Sequence, residues 1–96
     1  MIDTTADIRG KRYRVRTARL IKNWGECDHP ATPGKEIRIS RELSGFALLE
    51  TIIHEQLHAA LWDLNEDAIE ETSHAVARLL WRLGYRSPDV MTTSHR

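Results

Sequence analysis

The stretch Thr51-Ile52-Ile53-His54-Glu55-Gln56-Leu57-His58-Ala59-Ala60 constrains this chain more than any other. Residues four apart on an α-helix lie one turn above each other on the same face. A helix here therefore presents two imidazoles, from His54 and His58, to a single point, with Glu55 one residue over. That is the HExxH pattern of a metal-binding helix. Imidazole suits zinc at about 2.0–2.1 Å, and a catalytic zinc keeps three protein ligands and one open position. Glu55 is the candidate general base, taking a proton from a water that attacks a polarised carbonyl. The plainer alternative is an amphipathic helix with incidental histidines. Leu49, Ile53, Leu57 and Ala60 make one apolar stripe, widened by Ile52 and Phe46. At about 100° of rotation per residue, His54 and His58 fall roughly 100–140° from its middle, where they line a cleft at the core's edge.

The rest of the chain must supply the core and the remaining ligand. Ninety-six residues make one domain near the lower limit of a self-sufficient core, and a metal joining two helices helps so small a fold. Fourteen basic and fourteen acidic residues balance, so net charge points to no partner class. No apolar run approaches a membrane span and no signal-peptide core opens the chain. A single cysteine, Cys27, forms no internal disulfide, which fits a reducing, cytoplasmic setting.

Met1 to Arg9 reads as a polar lead-in, with the folded core at about 10–86 and a tail over 87–96 in which His95 has no role. From Lys11 to Ile21, Tyr13, Val15 and Thr17 alternate with Arg12, Arg14 and Arg16, the period of a half-buried antiparallel strand. The arginines form either a nucleic-acid patch or, more simply, the wet face of a sheet. Asn23 to Lys35 carries turn chemistry in Gly25, Pro30, Pro33 and Gly34. Within it Trp24 reads as an anchor of the core edge, Cys27 as a small buried residue, and Asp28 and His29 as turn residues. His29 is also a candidate for steadying a transition-state oxyanion. Glu36 to Ile39 is a second strand with Ile37 and Ile39 inward. Ser40 or Ser44 caps a helix running from Glu42 or Phe46 to Trp62. Asn65 or Asp63 caps a second helix with Glu66 and Asp67 in its first turn, an apolar stripe of Ile69, Val76, Leu80 and Leu83, and a stop at Gly84.

Helices joined by so short a break return antiparallel. With the bend centred near residues 63–64, Glu70 stands level with the histidine pair. Glu70 is the expected third ligand. His74 and Glu66 are the alternatives, each as the ligand or as a hydrogen-bond partner of one; Glu66, closer to the tip, reads more simply as a surface acid favoured by the helix dipole.

These residues, with Trp24-Gly25-Glu26-Cys27, the strand Glu36-Ile37-Arg38-Ile39-Ser40 and the helix Leu48 to Ala59, resemble a small zincin of the SprT-like and minigluzincin kind. The resemblance spans about two-thirds of the chain. It implies an α+β fold: a short antiparallel sheet packed on the HExxH helix, with a backing C-terminal helix. It further implies one zinc ion held by His54 and His58, Glu55 as general base, and peptide-bond hydrolysis along the sheet's edge strand, here near the second strand. In the glutamate-type branch the third ligand lies on the backing helix, which suits Glu70. SprT-like proteins use a third histidine in a glycine-containing turn, whereas His74 lies within a predicted helix. Minigluzincins also suggest a polar tail that covers the cleft. The expected function is a zinc metallopeptidase acting on peptide or protein substrates. The alternative is a catalytically weak zincin-fold binding or regulatory module, possibly associated with nucleic acid through Arg12, Arg14 and Arg16.

Overall fold

A computed structural model describes residues 1–86; the expectations for the tail over 87–96 and for His95 lie outside them. The elements are β1 (Asp3–Ile8), β2 (Lys11–Ala18), β3 (Gly25–Cys27), β4 (Glu36–Ser40), α1 (Gly45–Ala60) and α2 (Glu66–Arg82). The strands form one four-stranded sheet in the order β1-β2-β4-β3, on one face of which α1 packs.

The alternation of Tyr13 and Val15 with arginines does what its period requires. Tyr13, Val15, Ile37, Ile39 and Ile8 are buried on one face, with Ala59 of α1 against them and Leu48 and Ile52 partly buried alongside. The opposite face carries the charges, and each arginine meets a carboxylate. Arg12 pairs with Asp7, Arg14 with Asp3 and Glu36, and Arg16 with Glu36. Arg38 is the hub, within 3.0 Å of Glu26, 2.8 Å of Asp28 and 3.2 Å of Glu36. The basic run of β2 is thus matched by acids from β1 and β4.

Asp28 has a second task. Its carboxylate accepts the Glu36 N–H at 2.9 Å while its own N–H donates to the Glu36 carbonyl at 3.0 Å, which closes the β3–β4 connection. The Arg38 hydrogen bonds hold the Asp28 carboxyl below the usual carboxylate value of 3.8. A carboxyl depressed by folding contributes stability above its unfolded pKa and loses it as pH falls through the lower folded value. Denaturant midpoints of the parent protein are therefore expected to drop below about pH 3.8, and Asp28→Asn to lose about 1–3 kcal/mol at pH 7 and show a flatter acid limb.

Several features differ from the sequence reading. The lead-in is a strand: Asp3 to Ile8 pair antiparallel with Arg16 to Lys11, and the two-residue turn Arg9-Gly10 takes positive φ at both positions (49° and 79°). That is the twist-matched hairpin turn, and a polar strand is held there by cross-strand acid–arginine pairs rather than by apolar alternation. Arg9 also donates to the Ala60 carbonyl at 2.9 Å, tying the hairpin to the end of α1.

The sheet is mixed, not antiparallel throughout, because β2 and β4 run parallel with Val15 opposite Ile37. A period of two places side chains on faces but says nothing of strand direction. The Asn23–Lys35 turn region contains the edge strand β3, antiparallel to β4 with Glu26 opposite Arg38. Trp24 is not a core anchor; it is 60% exposed.

The stripe on α2 differs as well. Ile69 is buried as expected, but Val76 and Leu83 are exposed, and Ser73 and Ala77 are the other buried residues. Small side chains at 73 and 77 let the α2 backbone sit close to its neighbour, which turns the larger residues outward. On α1, Thr51, Glu55 and Ala59 are buried and the expected stripe of Leu49, Ile53 and Leu57 is half-buried. The helix is covered on two sides, by the sheet and by α2, so no single stripe describes it.

Candidate metal centre

Helix α1 starts after Ser44, whose backbone is extended, while the Ser40 hydroxyl accepts the Glu42 N–H at 3.2 Å just before it. The helix then runs unbroken through the motif, so His54 and His58 project from successive turns. Their Nε2 atoms stand 3.2 Å apart, and both side chains are about four-fifths buried. The third group is Glu66. Its Oε2 is 3.1 Å from His54 Nε2 and its Oε1 3.1 Å from His58 Nε2. Among the described residues this is the one trio of histidine, cysteine or acid side chains whose ligand atoms converge, all within 4.8 Å.

The spacing can be tested against zinc. Ligands at about 2.0–2.1 Å in tetrahedral directions lie about 3.3–3.4 Å from each other. The 3.2 Å between the two imidazole nitrogens comes within a few tenths of an ångström of that edge, and Glu66 sets one oxygen 3.1 Å from each ring, with one ligand atom per residue all within 4.8 Å. Two imidazole nitrogens and a carboxylate are also a donor set that zinc takes in catalytic sites. The residues therefore fit a zinc ion with one side left to solvent, where Glu66 is 58% exposed.

Glu66 stands where Glu70 was expected because the hairpin is tighter. His74 Nδ1 is hydrogen-bonded to Glu50 Oε2, which centres the antiparallel pair near residue 62 rather than 63–64. Asn65 caps α2 by accepting the Ala68 N–H at 2.8 Å, so the helix begins at Glu66 itself. The first acid of α2 is thereby level with His58. Glu70 lies one turn further along, beside His54 in the neighbouring cavity, and its carbonyl accepts the Ser73 hydroxyl. His74 is engaged by Glu50 and by the edge of Phe46, ring centroids 5.8 Å apart, and does not join the trio. His29 does not join the trio either: its Nδ1 accepts the Ala31 N–H and its ring packs edge-on against Trp62, centroids 4.8 Å apart, behind the wall of the cavity that holds the trio.

Glu55 lines the same cavity from the side of β3, packed against Gly25. It is 7% exposed, and no hydrogen bond reaches its carboxylate among the described residues. Burial, reinforced by the charges of Glu66 and Glu26, pushes its pKa up to about 7. A cation between the histidines opposes that rise.

Gly25 makes the close approach possible. A Cβ there would lie 2.8 Å from Glu55 Cγ and Oε2 and 2.9 Å from Thr51 Cγ2, so any other residue displaces the Glu55 and Thr51 side chains or the strand itself. This role of Gly25, read from sequence only as a turn residue, had one visible sign: glycine flanked by Trp24 and Glu26 rather than by other turn formers. Cys27, half-buried, faces the same side, and burial followed by the Glu55 charge pushes its thiol up to about 12. It is a protonated packing residue.

Two cavities flank the line from Gly25 to Glu55. One of about 390 Å³ holds the trio with Cys27 and Trp62 on its wall. The other, of about 380 Å³, extends past His54 toward Trp24, Glu50, Glu70 and His74. The strand beside both is β3; β4, the expected substrate-binding edge, is interior to the sheet. Comparison of the chain with protein-family models, with curated proteins and with solved structures gave no match.

Proposed function

We propose that this α+β domain is a zinc-dependent metallopeptidase of the small zincin type, with His54, His58 and Glu66 as the ligands and Glu55 as the general base. The observation that carries the reading is the meeting of His54 Nε2, His58 Nε2 and the Glu66 carboxylate at 3.1–3.2 Å, beside a buried carboxyl with no hydrogen-bond partner among the described residues. A carboxylate from the backing helix agrees with the glutamate-type branch of the resemblance.

When bound, zinc supplies Lewis acidity to the substrate carbonyl and the attacking water. Glu55 takes the proton from that water and passes it to the leaving amine. The edge of β3 orients the substrate. Trp24 accepts the Ser40 N–H and Asp28 donates to the Glu36 carbonyl, so residues 24, 26 and 28 direct their backbone groups at β4. Alternate residues of an antiparallel strand point opposite ways, which turns the N–H and C=O of Gly25 and Cys27 to the outer edge. An extended peptide that pairs there lies across the Glu55 carboxyl.

The second reading, a metal-binding module without turnover, is favoured by one observation. Neither described tyrosine lines the cleft: Tyr13 is buried and donates to the Asp28 carbonyl, and Tyr85 borders a separate apolar hollow. Incubation with denatured protein separates the two. Cleavage that a chelator stops and zinc restores is the expected result, and zinc-loaded protein that leaves every denatured substrate intact establishes the module. No helix of the described residues is long and apolar enough to cross a membrane.

A further inference from the structure

The whole chain is neutral, yet its charges are segregated. The arginines of β2 and β4 lie on the outer face of the sheet, each with a carboxylate partner. Neither cavity of the cleft has a lysine or arginine on its wall. The cavity beyond His54 is walled by Glu50 and Glu70 and continues, through Glu70 and His74, into an open hollow that adds Asp67 and Glu71. Glu50 is occupied by His74, but the Glu70 carboxylate has no hydrogen-bond or ion-pair partner among the described residues, its backbone carbonyl alone being bonded, by Ser73. Trp24, 60% exposed, stands on the same wall and offers a flat aromatic face.

Acids alone are not a site. The independent observation is Glu55, more than nine-tenths buried, without a hydrogen-bond partner among the described residues, and opening into this cavity as well as into the one with the metal ligands. It marks the cavity as part of the substrate path rather than as a solvated helix flank. A long side chain entering past Trp24 lays its stem against the indole and brings its end to Glu70.

We infer that the cavity between Trp24 and Glu70 is a side-chain subsite for lysine or arginine, so that the substrates are cationic peptides. This rests on the peptidase reading for its place in the cleft, but it is a statement about binding and can be tested without turnover. An ammonium or guanidinium there gains the Coulomb attraction of the Glu70 wall and a cation–π contact with Trp24. Together these give about a tenfold preference over an apolar residue of no charge. A glutamate at the same point meets the like charge of the Glu70 wall.

The test uses the zinc-loaded, full-length Glu55→Gln variant, which holds peptide without cutting it. The probes are alanine–glycine dodecapeptides with one central Lys, Arg, Ala or Glu, and affinity is read by calorimetry. The expected order is Lys and Arg about tenfold tighter than Ala, and Glu weakest, with the spread narrowing as salt is raised. Glu70→Gln and Trp24→Ala, each checked for folding by circular dichroism, are expected to cut the preference several-fold while zinc content stays at one ion; Glu70→Lys is expected to invert it. Equal affinity for the Lys and Ala peptides, no binding of the Lys peptide, or a preference that survives both substitutions overturns the subsite. If the preference is found but the parent protein cleaves no peptide, the subsite stands and the peptidase reading falls. If the parent cleaves without regard to charge, the reverse holds.

Discussion

Replacing Glu66 by alanine is expected to weaken zinc binding by more than about 100-fold, and replacing Glu70 by alanine to weaken it less than about tenfold. The difference is one of reach. Glu66 brings an oxygen to 3.1 Å from each imidazole, so its loss leaves two nitrogens to hold the ion. Glu70 lines the adjacent cavity and touches neither nitrogen at ligand distance. Because Glu66 is 58% exposed and starts its helix, its removal leaves the zinc-free fold almost untouched. The two variants can thus be compared at equal folded fraction, by competition with a chromophoric chelator. The opposite ranking would mean that the hairpin closes differently once the ion is bound, with Glu70 drawn to the histidines.

The second large effect concerns Glu55→Gln. In the proposed reaction it removes the base and is expected to lower peptide cleavage by about 10²–10⁴-fold, the usual worth of a positioned general base. Zinc content is expected to stay at one ion, since Glu55 is not among the converging ligand atoms. Stability should not fall either. The amide fills the same space against Gly25 and carries no charge into a position that is 7% exposed. This combination separates chemistry from structure: a retained ion, an unchanged melt and a lost activity. Equal cleavage by the variant and the parent would rule Glu55 out as the base and move the search to the His74–Glu50 pair across the cavity.

How much of this could be read beforehand follows the range of the interactions. The spacing of His54 and His58 needs only the geometry of one helical turn, so the motif announced its own geometry. The same holds for Tyr13, Val15, Ile37 and Ile39, buried as their alternation requires, and for the Asn65 cap. Glu66 was visible too, as an alternative ligand ranked behind Glu70 because an acid in a helix's first turn already has a local meaning. Shifting the hairpin centre by less than two residues exchanges Glu66 for Glu70, and no local rule fixes a bend that finely.

The N-terminal strand and the short β3 escaped for a different reason. Asp3 to Ile8 has no apolar alternation, and its pairing depends on arginines in the next strand. β3 is three residues inside a turn-rich segment, recognisable only when Glu26 and Asp28 are seen gripping Arg38.

From the order of residues alone came the helix, its two imidazoles, the flanking acid and the alternating strands, because each depends on contacts within a turn or a pleat. Which carboxylate meets the two imidazoles, which strand forms the cleft's edge, and that Gly25 must be bare for Glu55 to lie beside it came only with the folded chain. Those outcomes depend on where separate elements meet, and such meetings are set by packing across the domain, with residues such as Ser73 and Ala77 deciding how closely helices can approach.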